Sequence, residues 1–357
     1  MVRLLSVINK DESEKWNSIV KSFEDFDVYY LHEYSQAFDI HGDGDPLLFY
    51  YENVDIRALN VVMKRDIALD RNFSEELSVG KYYDISTPYG YGGFLIEGEI
   101  TEESLKLMSE EYSLACMKAG IVSEFVRFHP ILKNDKELSG IYDITKLSQT
   151  ITLNLTSKGD IWSNLLGKNR NVIRKSRKLG VEIFWGRSPD LIDEFIKMYN
   201  ATMDKDNAKD YYYFGKDFYS SILNDLRYNS MIFYAKYNGE IIAMSMILFA
   251  NNQMHYHLSA SIKEYQSLAA TNYLLYEAAC WGCENGYKTF HLGGGLGSQE
   301  DSLFKFKKAF NKNSDTIFST GKKIINIEKY NELIDIRNKQ SNWNPNTDFF
   351  PKYRAVK

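Results

Sequence analysis

Lysines and phenylalanines alternate in the stretch LFKFKKAFNK, residues 303–312, which makes this stretch the first candidate for chemistry. Its basic side chains are Lys305, Lys307, Lys308 and Lys312, and its aromatic ones are Phe304, Phe306 and Phe310. Cations held among aromatic rings predict a pocket for an anion, or for negative charge that develops during a reaction. The sequence FHLGGG precedes the stretch, and we expect its glycines, residues 293–295, to turn the chain out of a core strand.

A second basic cluster lies in GKNRNVIRKSRKLG, residues 167–180, and contains Lys168, Arg170, Arg174, Lys175, Arg177 and Lys178. At helical spacing, the three arginines share one face, while Val172, Ile173 and Leu179 can turn toward a core. Two interpretations remain open for this face. It is either a solvated helix surface or a site for a phosphate-bearing substrate, because guanidinium groups bind phosphate in a bidentate manner.

Several familiar site types are missing from the sequence. It contains no HExxH metal motif, no GxSxG nucleophile elbow and no GxxxxGK[ST] phosphate loop, and GGGLGSQED lacks the spacing of a dinucleotide fingerprint. His255 and His257 alternate on a predicted strand and favour a packed or solvated face over a metal pair. Cys280 and Cys283 form a CxxC inside a helical pattern, which favours buried helix cysteines. The sequence therefore predicts no metal site.

The elements around the lysine stretch follow a clear order. Strands are predicted over 231–236, 240–249 and 253–259, with Asn238-Gly239 as a two-residue hairpin turn. SLAATNYLLYEAACWGCENG has helical spacing of its apolar residues and a typical Asn-Gly stop, and YKTFHLGG reads as one more strand. Residues 231–293 are thus predicted to run β-β-β-α-β.

The N-terminal half repeats this order, with a strand pair in PLLFYYENVDIRALNVVMKR, a helix in ESLKLMSEEYSLACMKAG and a strand in SEFVRFHP. Tyr29-Tyr30 and Tyr212-Tyr213 also precede the two predicted hairpins by a similar distance. The sequence therefore predicts an α+β protein made of two copies of one unit. We expect the first domain at 1–150 and the second at 151–319, opened by a helix after a linker near 140–160. Residues 320–357 are then predicted to pack back on the first domain.

The composition sets the remaining limits. The chain has 357 residues, 44% of them hydrophobic, which suits two domains with real cores. Its net charge of −5 argues against a dedicated nucleic-acid binder, although a local basic patch can still act. The three cysteines fit a reducing compartment, and the sequence shows neither a signal peptide nor a run of about twenty apolar residues. These features predict a cytoplasmic protein.

Taken together, SKGDIWSNLLGKNRNVIRKSRKLGVEI, the hairpin-helix-strand block and FHLGGG…DSLFKFKKAF resemble the FemABX peptidyltransferases, a branch of the GNAT-type acyltransferase superfamily. The stretches DISTPYGYGGFL and FVRFHPILKN also fit that branch. The resemblance implies two tandem GNAT-like domains, each with a mixed, mainly antiparallel sheet flanked by helices. It further implies transfer of an amino acid from aminoacyl-tRNA to an amine of a peptidoglycan precursor, with no other cofactor.

The resemblance also assigns roles to individual residues. The family's FKxxF motif falls on Phe306, Lys307 and Phe310, and it implies that Lys307 stabilises the charged acyl-transfer intermediate while Tyr256 lines the pocket. Substrate contacts would come from the remaining aromatic and basic positions: Tyr213, Lys209, Lys305, Phe306, Tyr89, Tyr91 and the three arginines Arg170, Arg174 and Arg177.

Two departures from the family pattern bear on the donor. Ala309 stands where the family commonly has glycine, and the pyrophosphate loop is reduced to QSLAAT, residues 266–271, which has no glycine. Backbone amides around Gln266, Ala269 and Ala270 can still bind phosphate at a helix start, but side chains hinder close approach. This weakens acyl-CoA as the donor and favours aminoacyl-tRNA.

Two other functions stay open at this level. One is an acyl-CoA-dependent N-acyltransferase that acts on an amino sugar of a cell-surface polysaccharide, and the other is a non-catalytic ligand-binding protein that keeps the fold. An acyl transfer to an amine also needs a general base, for which Asp301, Glu300 and His291 are the candidates.

Overall fold

The computed structural model describes residues 4–341 and 343–355, which form two compact units. The first unit runs to Leu147 and resumes at Phe318, and the second is Ser148–Ile317. The chain thus completes most of one unit, builds the second, and returns to finish the first.

The described part of the chain contains fourteen strands and ten α-helices. The strands are β1 (Leu5–Asn9), β2 (Asp45–Glu52), β3 (Ile56–Asp66), β4 (Tyr83–Ser86), β5 (Leu95–Gly98), β6 (Ile121–Arg127), β7 (Asp143–Gln149), β8 (Ile151–Asn154), β9 (Glu182–Gly186), β10 (Ser230–Tyr237), β11 (Glu240–Ala250), β12 (Gln253–Ser261), β13 (Thr289–Gly293) and β14 (Ile317–Ile324). The helices are α1 (Ser13–Ser22), α2 (His32–His41), α3 (Glu102–Lys118), α4 (Lys158–Asn164), α5 (Gly167–Lys178), α6 (Pro189–Lys205), α7 (Lys216–Asn224), α8 (Ala270–Glu284), α9 (Ser302–Lys308) and α10 (Ile327–Asn338).

The sheet of the first unit has the order β1-β2-β3-β4-β6-β14-β7, and β5 pairs with β3. Neighbouring strands along β1-β2-β3-β4 are antiparallel, whereas β4 and β6 are parallel. The core forms where Met108, Tyr112 and Cys116, one face of α3, pack on the sheet with residues such as Phe49. α10 and the C-terminal 3-10 turn at Lys352–Arg354 complete this unit in a second cluster.

The sheet of the second unit has the order β8-β13-β12-β11-β10-β9. β12 and β13 are parallel, and the other neighbouring pairs are antiparallel. The hairpin between β10 and β11 turns at Asn238 and Gly239, whose φ values of 51° and 84° are the positive ones that a type I′ turn requires. α8 packs its apolar residues, among them Leu274, Leu275 and Ala278, against this sheet.

The two units repeat one order of elements. Each has a strand, a helix, a 3-10 turn, a second helix, an antiparallel hairpin with a third strand, a long helix, and a strand parallel to the third. The 3-10 turns are Val28–Tyr30 and Asp210–Tyr212, at the two tyrosine pairs. The predicted α+β class, with two mainly antiparallel sheets flanked by helices, is confirmed.

The segment between the two repeats differs from the prediction. Residues 140–160 were predicted as a linker followed by a helix, but β7 and β8 occupy much of this stretch. β8 has only four residues, so its alternation of apolar and polar side chains is too short to be recognised in the sequence. Its Ile151 and Leu153 are nevertheless buried in the core of the second unit. Leu179, predicted to face a core, is 43% exposed because α5 ends at the preceding residue.

Candidate active site

The glycine run after β13 shapes the loop that leads into α9. Gly293 has a φ of 79°, which favours glycine. A Cβ atom on Gly295 would lie 2.0 Å from the carbonyl oxygen of Gln299, so no other residue fits that position without rearrangement. The run therefore turns the chain sharply out of the core strand, as the sequence predicted, and it leaves the carbonyl of Gly294 available to a side chain.

Asp301 begins α9 as its N-cap. Its carboxylate accepts hydrogen bonds from the backbone N–H of Phe304 at 2.8 Å and of Leu296 at 3.2 Å. These hydrogen bonds lower the pKa of Asp301 below its ordinary value. A carboxylate stabilised in its charged form is a weaker base, so this candidate general base serves the loop and the helix start.

Lys307 points from α9 into the interior of the second unit and is only 9% exposed. Its Nζ donates a hydrogen bond to the carbonyl oxygen of Gly294 at 2.8 Å. Burial lowers the pKa of Lys307 to about 8, with a smaller opposing effect from the charge of Asp301. Nζ also lies 5.8 Å from the ring centroid of Tyr256, so the two residues predicted as catalytic meet in one place.

Tyr256 lies on β12 at a β-bulge. Met246 pairs with Leu258 and Ile247 pairs with Tyr256, which leaves His257 as the extra residue. Bulges of this kind re-aim side chains and are common beside active sites. Burial raises the pKa of the Tyr256 phenol, and hydrogen bonds with Ser259 and Ser245 partly offset that rise.

The other residues of the lysine stretch have separate positions. Lys305 is exposed, and Lys308 donates to Gln149 and to the carbonyl of Ser314. The rings of Phe306 and Phe310 form an edge contact with centroids 5.5 Å apart. Ala309 has a right-handed helical backbone, so its conformation does not require the glycine common in the family.

The three arginines of α5 share a face as predicted, but that face turns toward neighbouring helices. Arg170 donates to the carbonyl of Leu165 at 2.7 Å at the end of α4. The guanidinium of Arg174 lies 5.0 Å from the ring centroid of Trp162. Arg177 contacts two residues of α8, Tyr273 and Glu277. Each arginine therefore has a structural contact within its own unit, and phosphate binding by this face stays a prediction.

The residues predicted to bind the donor phosphate lie where a 3-10 helix at Lys263–Leu268 leads into α8. Gln266 is exposed, Ala269 has a left-handed backbone with a φ of 51°, and Ala270 is buried. Next to them, Asn272 donates to the side-chain oxygen of Asn169 on α5 at 2.8 Å. Asn169 in turn donates to the carbonyl of Ala309, and so ties the start of α8 to the end of α9.

The remaining predicted residues have contacts of their own within their units. Lys209 is exposed, and the Tyr213 hydroxyl donates to Asp204 at 2.8 Å. Glu300 is exposed, and His291 is buried on β13 with its ring 5.9 Å from that of His255. In the first unit, Tyr91 packs against the rings of Tyr29, His129 and Phe318, and Tyr89 stacks on Phe38.

The CxxC pair lies within α8 without a disulfide. Burial raises the pKa of the Cys280 thiol to about 11, which opposes the thiolate form that redox and metal chemistry need. Ser245 and Ser259, whose Oγ atoms are 2.9 Å apart, and Asn169 were not predicted from the sequence as polar groups of this unit's interior. A serine in the middle of the apolar run IIAMSMILFA was the one available signal, because a buried hydroxyl requires a partner.

Residues 166–307 match the family model Acetyltransf_6, described as an acetyltransferase (GNAT) domain. This segment is therefore similar to GNAT-type acyltransferase domains. The match ends at Lys307 and includes β9 to β13, so Tyr256 and Lys307 belong to the GNAT domain itself. The match confirms the expected similarity to GNAT-type acyltransferases.

Solved structures show the same fold over nearly the whole chain. FemX is 12% identical, with 92% of this chain and 99% of that chain covered and a TM-score of 0.67. The C-terminal domain of a putative lysylphosphatidylglycerol synthetase from Agrobacterium fabrum is 14% identical, with 88% and 92% covered and a TM-score of 0.54. A conserved protein of unknown function from Bacteroides thetaiotaomicron is 14% identical, with 89% and 98% covered and a TM-score of 0.55.

The search of curated proteins returned no match. At such low identities the structural similarity establishes the fold alone. Among the described residues, no helix has both the length and the apolar composition to cross a membrane.

Proposed function

We propose that this protein forms an amide bond by transferring an aminoacyl group from aminoacyl-tRNA to an amine of a peptidoglycan precursor. The observation that carries the proposal is the buried Lys307 beside Tyr256, within a GNAT domain on a FemX-like fold. The acyltransferase class follows from the domain. The donor and the acceptor rest on the resemblance of the sequence and the fold to FemABX proteins.

The chemistry needs a stabilised oxyanion. The neutral acceptor amine attacks the ester carbonyl of the donor, a C–N bond forms, and the carbonyl oxygen becomes negatively charged. The intermediate then collapses, the C–O bond to the ribose breaks, and the amine proton ends on the ribose oxygen. A preorganised cation beside the carbonyl oxygen stabilises the intermediate, and one such donor contributes on the order of 10²–10³ in rate.

Lys307 fits this role because its position is fixed before the reaction. Its hydrogen bond to Gly294 holds the ammonium, and burial strengthens its field on nearby negative charge. Burying an ammonium group costs free energy of folding. Ligand binding alone gives no clear explanation for a lysine buried at that cost. A catalytic role explains the burial, because the ammonium then stabilises the negative charge that forms during acyl transfer.

The start of α8 favours a donor other than acyl-CoA. Pyrophosphate binding at a helix start needs open backbone amides, and glycine is the residue that allows the closest approach. Here Ala269 and Ala270 carry Cβ atoms, Ala270 is buried, and Asn169 contacts the first turn of the helix. The match to an acetyltransferase domain keeps acyl-CoA-dependent N-acylation of an amino sugar as the second candidate.

The decisive experiment is a donor competition. Purified protein is mixed with a UDP-linked peptidoglycan precursor and either a pool of labelled aminoacyl-tRNAs or labelled acetyl-CoA, and the labelled acceptor is measured. We expect label from aminoacyl-tRNA. Transfer from acetyl-CoA alone would replace the proposal by the second candidate, and binding without transfer from either donor would leave a ligand-binding protein.

A further inference from the structure

The first unit contains a cavity of about 300 Å³, a volume within the range of small-ligand sites. Three segments of the chain line it: residues 23–25 after α1, residues 94–97 at β5, and residues 132–134 and 136–138 after β6. Phe23, Phe94 and Leu138 are buried and supply its apolar part, while most of the other lining residues are polar. The kind of ligand that fits this cavity follows from its backbone and its charges.

The backbone that lines the cavity belongs to a strand with one free edge. β5 pairs with β3, and in the described part of the chain no other strand pairs with it. The N–H of Glu99 donates to the carbonyl of Asp55 at 2.9 Å and so continues this pairing. In an antiparallel pair, hydrogen-bonded residues alternate with residues whose backbone groups point away. Glu97 and Leu95 therefore bond to β3, and the N–H and C=O of Ile96 point to the free edge.

Two further hydrogen bonds agree with this assignment. On β3, the carbonyl of Ile56 accepts from the N–H of Asn53 on the β2 side, so the odd-numbered residues of β3 are the ones that bond to β5. At the start of β5, the side-chain amide of Asn134 donates to the carbonyl of Phe94 at 3.0 Å. Asn134 thus covers the free edge at Phe94, and the backbone groups of Ile96 face the cavity two residues further on.

The charged side chains of the cavity come from different segments and carry both signs. Glu24 and Asp25 bring carboxylates from the segment after α1. Lys133 and Lys136 bring exposed ammonium groups from the segment after β6, which also carries Glu137. A ligand of one sign only would be repelled by part of this lining, so the charges favour a ligand that has both a cation and an anion.

We propose that this cavity binds a short zwitterionic peptide in an extended conformation, which pairs with the free edge of β5. One extended residue presents its N–H and C=O to the same side, so it can exchange both hydrogen bonds with Ile96. The ammonium group of the peptide then meets the carboxylates of the cavity, and its carboxylate meets Lys133 and Lys136. This site lies in the first unit and does not depend on the proposed acyl transfer.

The first test measures the amide of Ile96 in the full-length protein. With 15N-isoleucine labelling, its signal is assigned by its loss in Ile96→Val. Trialanine at millimolar concentration should slow the exchange of this amide with solvent, because its N–H gains a hydrogen-bond partner. Isoleucine amides outside the cavity lining should exchange as before. If the exchange of Ile96 is unchanged, the proposal is wrong.

Chemical variants of trialanine test the strand pairing and the charges. N-methylation of the central residue removes the N–H that pairs with Ile96 and should weaken binding about tenfold. N-methylation of the third residue should have little effect, because in an extended peptide its N–H points away from β5. N-acetylation and C-terminal amidation should each weaken binding several-fold. Equal effects of the two N-methyl groups, or unchanged binding after both ends are blocked, would overturn the proposal.

The last test joins one charge of the protein to one charge of the peptide. Lys136→Gln should weaken binding of trialanine several-fold at low salt and leave binding of its C-terminal amide nearly unchanged, since the amide has no carboxylate to lose. The matched control is Lys106→Gln, which removes an exposed lysine of α3 in the same unit and should affect neither ligand. Thermal melting checks that both variants fold. If Lys136→Gln weakens the acid and the amide equally, or no more than Lys106→Gln does, the cavity does not bind the peptide as proposed.

Discussion

The two units share an order of elements but surround one lysine each, the half-buried Lys323 and the buried Lys307, with different groups. In the first unit, Lys323 lies near the carboxylate of Glu124, which is fully buried and accepts hydrogen bonds from Asn60 at 2.8 Å and Tyr142 at 3.0 Å. In the second unit, Lys307 donates a hydrogen bond to the neutral carbonyl of Gly294. The acid that acts on it electrostatically is Asp301, which caps α9.

We interpret the polar groups around Glu124 in the first unit as a stabilising network, and those around Lys307 in the second unit as the candidate active site. Glu124 has donors on several sides and a cation nearby, so the charges of the first unit offset one another inside the core. Lys307 keeps a positive charge that no hydrogen-bonded carboxylate neutralises in the contacts described. In the second unit, Lys307 is a fixed cation for an incoming negative charge, and this unit contains the segment that matches an acetyltransferase (GNAT) domain.

The largest expected effect is on catalysis by the second unit. Lys307→Met should reduce the rate of acyl transfer by roughly 10²–10³, because it removes the cation from the oxyanion. Lys305→Met is the matched control, since Lys305 is exposed on the same helix and should tolerate the change. Transfer of a labelled acyl group is measured for both variants, with thermal melting to check folding. If Lys307→Met keeps more than about a tenth of the wild-type rate, the oxyanion role is wrong.

The next effect is on the stability of the first unit. Glu124→Leu leaves the side chains of Asn60 and Tyr142 without their buried acceptor, and each buried donor left unpaired costs about 1–3 kcal/mol. Urea unfolding measures the loss, and Glu110→Leu on the exposed side of α3 is the control. The rate per folded molecule should stay close to that of the wild type. A stable Glu124→Leu variant would mean that the network of the first unit is not what holds its core.

The third effect is a pH dependence of stability that follows from the lowered pKa of Lys307. Its pKa of about 8 in the folded protein lies below the 10.5 of an unperturbed lysine, so between these values the unfolded chain binds more protons. Lys307 therefore lowers the free energy of unfolding at pH 7, and this penalty fades as the pH rises. Relative to Lys307→Met, the wild type should gain about 1.4 kcal/mol per pH unit above pH 8.

The helices and strands with a periodic apolar pattern could be predicted from the sequence. The strands that depend on contacts between distant residues could not. The hairpins were readable because Asn238-Gly239 and Asn251-Asn252 interrupt apolar runs, and α8 because its apolar residues recur at helical spacing. β7 and β8 were missed because their stability depends on partner strands far along the chain. β8, for example, pairs with β13 across more than a hundred residues.

The same limit applies to the site. The pattern around Lys307 indicated a cation among aromatic rings, but its burial and its contact with Gly294 depend on how the glycine run folds. The helical spacing of the α5 arginines was read correctly. Their partners on α4 and α8 were not foreseeable, because Arg177 meets residues about a hundred positions away.

The smallest expected effect concerns the arginine face of α5 in the second unit. If α5 attracts a phosphate-bearing substrate, Arg174→Glu should weaken its binding a few-fold at low salt, as expected for exposed charges worth under about 1 kcal/mol. Arg174 is the most informative of the three arginines because its guanidinium stacks on Trp162 and remains exposed. The effect should vanish near 0.5 M salt, where screening shortens to a few ångströms. Binding of the UDP-linked precursor is measured by calorimetry, with Lys106→Glu on α3 as a charge-matched control in the first unit. Equal losses of affinity in both variants would indicate a non-specific effect of net charge. If Arg174→Glu loses no affinity, the arginines of α5 form only structural contacts with α4 and α8.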